Sequence, residues 1–222
     1  MKTQRRFFVG WAFSLLAPSL LAQGVAVAAK VGSTGVGGDL TVGLSRYVNL
    51  RGGVQGFTHS QTRRQQEVEY DADLKLLTEL VVFDFHPEAK GFRISAGAYF
   101  NSNKVMAVTT DAATYTINGR TYRASDVGKI NGTVDFNNKV APYLGLGWGN
   151  AVAPGSPWRF AFDLGAFYQE SPKVGLKATL VNPALVPPTF TADLEAERQK
   201  TEDDLKNYKI YPVLAFGVSY RF

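Results

Sequence analysis

The stretch that decides the fold is residues 208–222, which read Tyr-Lys-Ile-Tyr-Pro-Val-Leu-Ala-Phe-Gly-Val-Ser-Tyr-Arg-Phe. Even positions are mostly apolar or aromatic, from Ile210 to Phe222, whereas the odd positions from Lys209 to Arg221 are mostly small or charged. Such a period of two is typical of a β-strand with one apolar face and one polar or small face. The stretch therefore predicts a strand that carries its aromatic face to the terminus, where chain ends usually fray.

The opposite end of the chain has the pattern of a secretory signal peptide. Residues 1–6 are basic and residues 7–22 are apolar, and small residues follow at cleavage spacing in Ala26-Val27-Ala28 and, less well matched, in Ala22-Gln23-Gly24. The alternative is a short membrane anchor, but the apolar segment is too short for one. We expect residues 1–24 to be removed, with the cleavage point between 22 and 29, and residues 25–222 to form one domain.

Composition restricts the function classes. There is no cysteine, so disulfides and thiol-metal sites are excluded. Outside the N-terminus no run of about 18 apolar residues could form a transmembrane helix. The formal charge of +5 falls to about +2 once Lys2, Arg5 and Arg6 are removed, so nucleic acid is not an expected partner. No cluster of metal ligands or phosphate-binding glycine loop occurs, so no cofactor or metal is expected.

Strand-like alternation recurs along the rest of the chain, in residues 36–44, 48–57, 74–82, 92–101 and 158–168, with one long strand or two in residues 130–150. Asn118-Gly119 lies between two short polar-aromatic segments and predicts a type I′ hairpin inside a long connection, residues 109–128. Residues 60–66 are expected to form a polar loop, and residues 173–181 to prolong the strand that precedes them. Residues 193–205 predict a charged, solvated helix capped by Thr191, with Arg198 and Glu202 at i,i+4 spacing.

Two regularities indicate a transmembrane β-barrel. The connections at 45–47, 86–91 and 151–157 are short and alternate with mostly longer ones, as in outer-membrane barrels, which keep short turns in the periplasm. Charges also lie opposite the apolar stripe, where they avoid the cost of about 2–4 kcal/mol that a cation meets at mid-depth in lipid. A soluble sandwich would bury the apolar stripe instead, so alternation alone leaves both folds open. The signal peptide, the terminal Phe222 and the aromatic strand ends favour the barrel.

The number of strands follows from the start of the mature chain. Seven segments are clear, and a single-chain bacterial barrel closes with an even number. Val25, Val27, Ala29 and Val31 are apolar at odd numbers, whereas residues 36–44 are apolar at even ones, so a tight hairpin or bulge across residues 32–35 would supply a first strand. This predicts eight strands, but it conflicts with cleavage after Ala28, which would leave that strand very short.

Several short motifs of the chain resemble those of a known family. The terminal Tyr220-Arg221-Phe222 resembles the closing strand of bacterial outer-membrane barrels, in which the last aromatic residue is part of the assembly signal. Four further motifs occur in an order similar to that of the CarO-type, carbapenem-associated barrels: Gly32-Ser-Thr-Gly-Val-Gly-Gly38, Ala141-Pro-Tyr-Leu-Gly-Leu-Gly147, Pro172-Lys-Val174 and the closing Tyr208-Lys209 with Pro212-Val213. The resemblance implies an all-β, antiparallel up-and-down barrel of eight strands in the outer membrane of a Gram-negative bacterium. It also implies a narrow lumen that passes small amino acids such as ornithine or glycine, although the loops differ and substrate preference does not transfer.

The inward-facing charges are the candidate functional residues. The predicted lumen ion network is Arg51, Asp73, Lys75, Glu79, Arg93, Asp135, Arg159, Asp163 and Lys209, and the predicted assembly signal is Tyr220 and Phe222. Eight strands leave an interior just wide enough for side chains to fill. Two interpretations stay open: an interlocked network that plugs the barrel, or a constriction that slowly passes small zwitterions.

Catalysis is not expected. The histidines are His59 and His86, and His59 and Ser60 point to opposite faces of a strand, so they cannot act directly as a base and its nucleophile. The expected partners are outer-membrane lipid and lipopolysaccharide, the barrel-assembly machinery and periplasmic chaperones, with small amino acids as a candidate cargo and a monomer as the expected state. The alternative function is a non-conducting scaffold that binds partners through its extracellular loops.

Overall fold

The computed structural model describes residues 23–65, 68–136 and 140–222, so residues 1–22 of the predicted signal peptide lie outside it. The described residues form thirteen strands and two α-helices. The strands are β1 (Val25–Gly32), β2 (Gly35–Gly43), β3 (Val48–Gln65), β4 (Val68–Phe85), β5 (Phe92–Asn101), β6 (Lys104–Asp111), β7 (Thr114–Ile117), β8 (Arg120–Arg123), β9 (Ile130–Phe136), β10 (Val140–Trp148), β11 (Trp158–Tyr168), β12 (Pro172–Ala178) and β13 (Ile210–Arg221). The helices are α1 (Ala124–Val127) and α2 (Phe190–Leu205).

Eight of the described strands close into a ring. The antiparallel pairings run from β1 through β2, β3, β4, β5, β10, β11 and β13 and back to β1. The predicted first strand is confirmed: β1 pairs with both β2 and β13, and its hairpin to β2 opposes Gly32 and Gly35. Gly35 has φ 110°, which a side chain rarely adopts. The fold is thus an all-β, transmembrane antiparallel up-and-down barrel of eight strands.

The outer surface of the ring is apolar. Its strands alternate between exposed apolar side chains and buried inward ones, the pattern that lipid on one side and a packed lumen on the other require. Aromatic residues concentrate at one end of this surface, where the rings of Trp158 and Tyr220 lie 4.9 Å apart and those of Tyr220 and Phe222 5.4 Å apart. No described helix is both long and apolar enough to span a membrane.

The inward face predicted for β4 was wrong. Leu80 and Val82 are 2% and 0% exposed, and Val81 and Phe83 are 47% and 52% exposed, so the even positions of this strand point into the lumen. The alternation failed here because residues 80–83 are aliphatic or aromatic on both faces, and charges farther along the strand then decided the assignment. Buried Asp84, at an even position, is the residue that marks the inner face.

The connections separate the two ends of the barrel. The turns after β2, β4 and β10 lie at one end with both ends of the described chain, and by the usual rule this is the periplasmic end. At the other end, β3 and β4 extend far beyond the ring. They pair with each other along their whole length, from Val48 opposite Phe85 to Gln65 opposite Val68. The polar loop predicted for residues 60–66 is therefore wrong for residues 60–65, which continue β3 because they pair with β4.

An extension of the sheet forms a second layer at the extracellular end, which we call the cap (β6–β9, β12, α1 and α2). The outer half of β4 leaves β5 and pairs with β6, which is followed by β9 and β12. Residues 130–150 are thus two strands in different places, because β9 belongs to the cap and β10 to the barrel. Likewise, β12 does not prolong β11 but pairs with β9.

The small elements of the cap pack into a core of their own. The predicted hairpin at Asn118-Gly119 is confirmed, with φ 49° and 75° at its two central residues and β7 paired to β8. Helix α2 begins at Phe190, earlier than predicted, and Thr189 rather than Thr191 is the N-cap residue, without a side-chain cap hydrogen bond. Phe190 is 3% exposed and its ring meets that of Tyr122 edge-on at 5.0 Å, so the helix packs on the rest of the cap, and the predicted solvated helix is wrong on this side.

Candidate functional site: the barrel lumen

Asp163 on β11 is the centre of a buried group of charges in the lumen. Its Oδ2 lies 2.6 Å from Lys30 Nζ, and its Oδ1 lies 2.6 Å from Arg93 Nη2 and 3.2 Å from Arg51 Nη2. One carboxylate thus accepts from three cations on three other strands. This arrangement ties β11 to β1, β3 and β5 across the barrel.

Two more carboxylates complete what we call the ion layer: Lys30, Asp39, Arg51, Asp84, Arg93 and Asp163. Arg51 donates to Asp84 through Nε at 2.9 Å and to Asp39 through Nη1 at 3.2 Å, and Lys30 Nζ is 2.6 Å from Asp39. The six side chains are at most 6% exposed. Three positive and three negative charges balance, as buried charges must if they are to remain ionised.

Glycines make room for the ion layer. Lys30 opposes Gly217, Asp39 opposes Gly53, and both Arg93 and Asp163 oppose Gly147. A Cβ at Gly147 would lie 2.9 Å from Arg93 Nε, and one at Gly217 would lie 2.6 Å from Lys30 Cγ. In a barrel this narrow, the missing side chains on neighbouring strands provide the space that the long charged ones fill.

Above the ion layer lies a set of stacked rings, which we call the aromatic layer: Tyr99, Tyr143, Phe167 and Tyr211. Phe167 is 1% exposed and is nearly parallel to Tyr99 and Tyr211, with centroids 5.0 and 4.8 Å away. Tyr143 lies 4.7 Å from Tyr99. Leu80, Val82, Ala141 and Val213 belong to the same buried cluster. The lumen is therefore filled twice in succession, first by charges and then by apolar groups.

Only some of the predicted network residues meet. Arg51, Arg93 and Asp163 lie together in the ion layer. Glu79 is exposed and points outward, between Val54 and Phe100 on the neighbouring strands. The lumen assignment of Glu79 is wrong because the inner face of β4 was inverted. The assignment of Asp73 and Lys75 is wrong because both lie where β4 has left the ring for β6.

Three further predicted residues lie outside the ion layer for a different reason. Asp135 belongs to the cap, where it pairs with Lys104 at 3.3 Å. Lys209 is exposed beyond the start of β13, and Arg159 lies at the periplasmic mouth, where it donates to Pro154 O. Each was assigned to the lumen from its parity, but parity fixes neither the sheet that a residue joins nor its depth in the barrel.

Sequence reasoning missed Lys30, Asp39 and Asp84. Lys30 is the one charged residue in β1, and Asp39 is the one in β2, each opposite the apolar stripe of its strand. That position was a usable signal for both residues. Asp84 could have been found because it and Thr78 are polar residues at even positions in the aliphatic part of β4, which indicates that the even positions face the lumen.

The cap holds α2 through carboxylates. Asp193 accepts from Tyr122 Oη, from Asn118 Nδ2 at 3.0 Å and from Arg120 Nη1 at 3.1 Å. Glu202 accepts from the Val174 backbone N–H at 3.1 Å, while Arg198 donates to Val174 O at 3.2 Å and to Glu202 at 2.7 Å. The predicted Arg198–Glu202 pair thus also binds the free edge of β12, which β9 leaves open on that side.

These bonds make the attachment of α2 sensitive to acid. The hydrogen bond from Tyr122 lowers the pKa of Asp193, and that from the Val174 N–H lowers the pKa of Glu202. Lowered pKa values stabilise the docked helix fully above the ordinary values of 3.8 for Asp and 4.5 for Glu. That stabilisation is lost as the pH falls through the folded values.

We therefore expect α2 to stay docked at pH 5 and to detach as the pH is lowered below about 4. A spin label on Lys200→Cys, in a chain without other cysteines, should become mobile over that range. A label on Lys90→Cys, in an exposed periplasmic turn, is the control and should not change. Release of α2 already at pH 6 would contradict the assigned role of the carboxylates.

Comparison with known proteins agrees with this architecture. No protein-family model matches the chain, and no curated protein matches its sequence. Two crystal structures of Acinetobacter baumannii proteins, CarO2 and CarO, each resemble 90% of this chain over 98% of their own, at 27% identity and with TM-scores of 0.58 and 0.57. Together with the closed ring of eight strands and its apolar outer surface, this similarity supports an outer-membrane β-barrel that resembles the CarO structures.

Proposed function

We propose that this protein is a closed barrel that anchors the cap at the cell surface and does not conduct solutes. The observation that carries the proposal is the double filling of the lumen by the ion layer and the aromatic layer. Beside the ion layer lies a cavity of only about 20 Å³, lined by Lys30, Asp39, Arg51, Asp84 and Arg93 among others. That volume has room for about one water molecule and none for an amino acid.

A solute would have to disrupt both layers to pass. Removing one partner from a buried ion pair costs about 3–5 kcal/mol, because the other charge is left uncompensated. Separating the stacked rings would in addition forfeit the dispersion contacts of side chains as buried as Phe167. These costs favour a scaffold, with the cap as the part that meets partners.

Slow passage of small zwitterions is the second candidate. The ion layer offers three cations and three carboxylates within one cross-section, so an ammonium and a carboxylate could replace the two halves of one pair. The CarO-type resemblance points to the same class of solute. Under this alternative, passage would be slow because each step breaks a buried pair.

Liposome swelling separates the two functions. Vesicles containing the refolded wild-type protein should swell no faster in glycine, ornithine or sugars of similar size than protein-free vesicles. Swelling in glycine or ornithine above both the sugars and the protein-free control would overturn the closed-barrel proposal in favour of the slow porin.

A variant trimmed in residues 109–128 and 182–207 should keep its heat-modifiable mobility, because these residues belong to or border the cap and not the ring.

We further propose export by a signal peptide that ends no later than Gly24. Val25, Ala26, Val27 and Ala28 all pair with β2, so cleavage after Ala28 would remove half of β1. The mass of the mature protein from a Gram-negative host tests this point. Lipid, lipopolysaccharide, periplasmic chaperones and the assembly machinery are the proposed partners of the monomeric barrel.

Phe222 is proposed as part of the assembly signal. It is 75% exposed on the outer surface, its ring meets Tyr220, and its backbone N–H donates to Val25 O at 3.0 Å. Replacing Phe222 by Ser should lower the amount of folded barrel in the membrane, measured as heat-modifiable protein on gels. The control is Phe216→Ser, since Phe216 also lies on the outer surface, 55% exposed, but is not terminal. Equal yields of wild type and F222S would contradict this role.

A further inference from the structure

The periplasmic mouth of the barrel is covered by the turn between β10 and β11, residues 149–157. Val152 in this turn is 5% exposed and Asn150 is 6% exposed, so the first half of the turn folds inward. Residues 154–157 are exposed. Asn49 Nδ2 donates to Asn150 Oδ1 at 3.1 Å and fixes one end of the turn from the lumen.

Two arginines hold the middle of the same turn. Arg159 Nη2 donates to Pro154 O at 2.7 Å and to Ala153 O at 3.3 Å, and Arg221 Nη1 donates to the same Ala153 O at 3.2 Å. Because both bonds end on one oxygen, the two nitrogen atoms lie no more than about 6.5 Å apart, the two bond lengths combined. Two guanidinium groups thus meet at the mouth of the barrel.

This pair of cations lacks compensation. Within the described residues neither guanidinium forms an ion pair, and the turn that they hold contains no acidic residue. The lumen carboxylates Asp39, Asp84 and Asp163 are engaged by the ion layer. The Nε of each arginine is buried and has no hydrogen-bond partner. A buried donor without an acceptor costs about 1–3 kcal/mol, more in a charged group, and such an atom calls for a bound species.

We propose that Arg159 and Arg221 form a binding site for an oxyanion, a phosphate or carboxylate group, at the periplasmic mouth. Guanidinium groups bind such anions through their N–H groups, and the buried Nε–H of each arginine lacks an acceptor that an anion could supply. One anion between the two groups would satisfy both Nε atoms and remove the repulsion between the cations. Since both arginines hold the covering turn, a bound anion would also stabilise its closed position.

The anion has two possible sources. It can be a free periplasmic phosphate or carboxylate, or the phosphate of a phospholipid headgroup. Arg221 is flanked in sequence by Tyr220 and Phe222, which lie in the aromatic group at this end of the outer surface, and such aromatic girdles mark the level of the headgroups. Either source would present the same kind of oxyanion to the guanidinium groups of Arg159 and Arg221.

Thermal unfolding with inorganic phosphate as the probe tests the site. In a phosphate-free detergent, with chloride holding the ionic strength constant, phosphate should raise the Tm of the wild-type protein in a saturable way. Arg159→Gln and Arg221→Gln should each raise the half-saturating phosphate concentration about tenfold or more, because hydrogen bonds to charged groups are the stronger ones. Arg46→Gln is the matched control, an exposed arginine at the same end, and should respond like the wild type.

The outcomes separate the sources and can overturn the site. If the phosphate response disappears in phosphatidylglycerol vesicles but persists in detergent, the headgroup is the occupant; if it persists in both, the free anion is. The same Tm rise in wild type, R159Q and R221Q would overturn the proposal. Should either Gln variant fail to fold, Arg159→Lys and Arg221→Lys, which keep the charge but lose the planar guanidinium, take their place. Wild type and R46Q should then broaden the phosphorus NMR signal of phosphate and the Lys variants should not; equal broadening by all four proteins would overturn the proposal.

Discussion

Replacing Asp163 by Asn is expected to lower the free energy of unfolding by about 3–5 kcal/mol. Asp163 is the carboxylate that contacts Lys30, Arg51 and Arg93 together among the described residues, and all of these groups are buried. Without its charge the ion layer keeps three cations but only two carboxylates. The uncompensated cation cannot reach water without opening the barrel, which is why the effect should be large. Urea unfolding of the refolded protein in detergent, followed by heat-modifiable mobility, measures it.

Asp135→Asn is the matched control for this substitution. Asp135 was assigned to the same network from its parity, but its pair with Lys104 lies in the cap, with the two side chains 45% and 36% exposed. An exposed pair contributes about 0–1 kcal/mol, so this variant should unfold nearly as the wild type does. Equal losses in D163N and D135N would show that the ion layer is not the electrostatic centre of the barrel.

The contrast between Asp135 and Asp163 shows which features of the fold can be predicted from the sequence and which cannot. Alternation along single strands predicted the barrel, its eight strands and the inward side of most of them, because lipid and lumen impose a period of two on every strand. Asp135 and Asp163 have the same local pattern, and no local feature tells which sheet a strand will join. The distinction is made by long-range pairing: β9 pairs with β6 and β12, and β11 pairs with β10 and β13.

The failure on β4 has a different physical origin. Residues 78–85 of this strand belong to the barrel wall, and residues 69–75 belong to the cap. Its aliphatic residues and most of its charges therefore lie in different environments. A single parity rule applied to its whole length therefore placed Glu79 in the lumen and overlooked Asp84. The aromatic layer could not be recognised as a unit for a related reason, since Tyr99, Phe167 and Tyr211 come from three strands that are distant in sequence.

The second large effect is expected from opening both layers of the lumen at once. Arg93→Ala should enlarge the small cavity beside the ion layer, which Arg93 lines, but leave the stacked rings in place. Phe167→Ala should remove the ring between Tyr99 and Tyr211, at a cost of about 3–5 kcal/mol, but leave the charges interlocked. Because the layers lie in series, neither single variant should conduct, and the double variant should.

Planar-bilayer conductance of the folded proteins measures this, with heat-modifiable mobility confirming that each variant still forms the barrel. Phe160→Ala is the matched control, since Phe160 lies on the same strand as Phe167 but is 83% exposed on the outer surface, and its loss should leave the lumen closed. Conductance in Arg93→Ala alone would mean that the rings are no barrier and that charge alone closes the barrel. A silent but folded double variant would place a further barrier above the rings, where Asn101 Nδ2 donates to Gln169 Oε1 at 3.0 Å across the lumen. The specific claim is therefore that each of two chemically different layers closes the lumen by itself, and only the double variant can establish it.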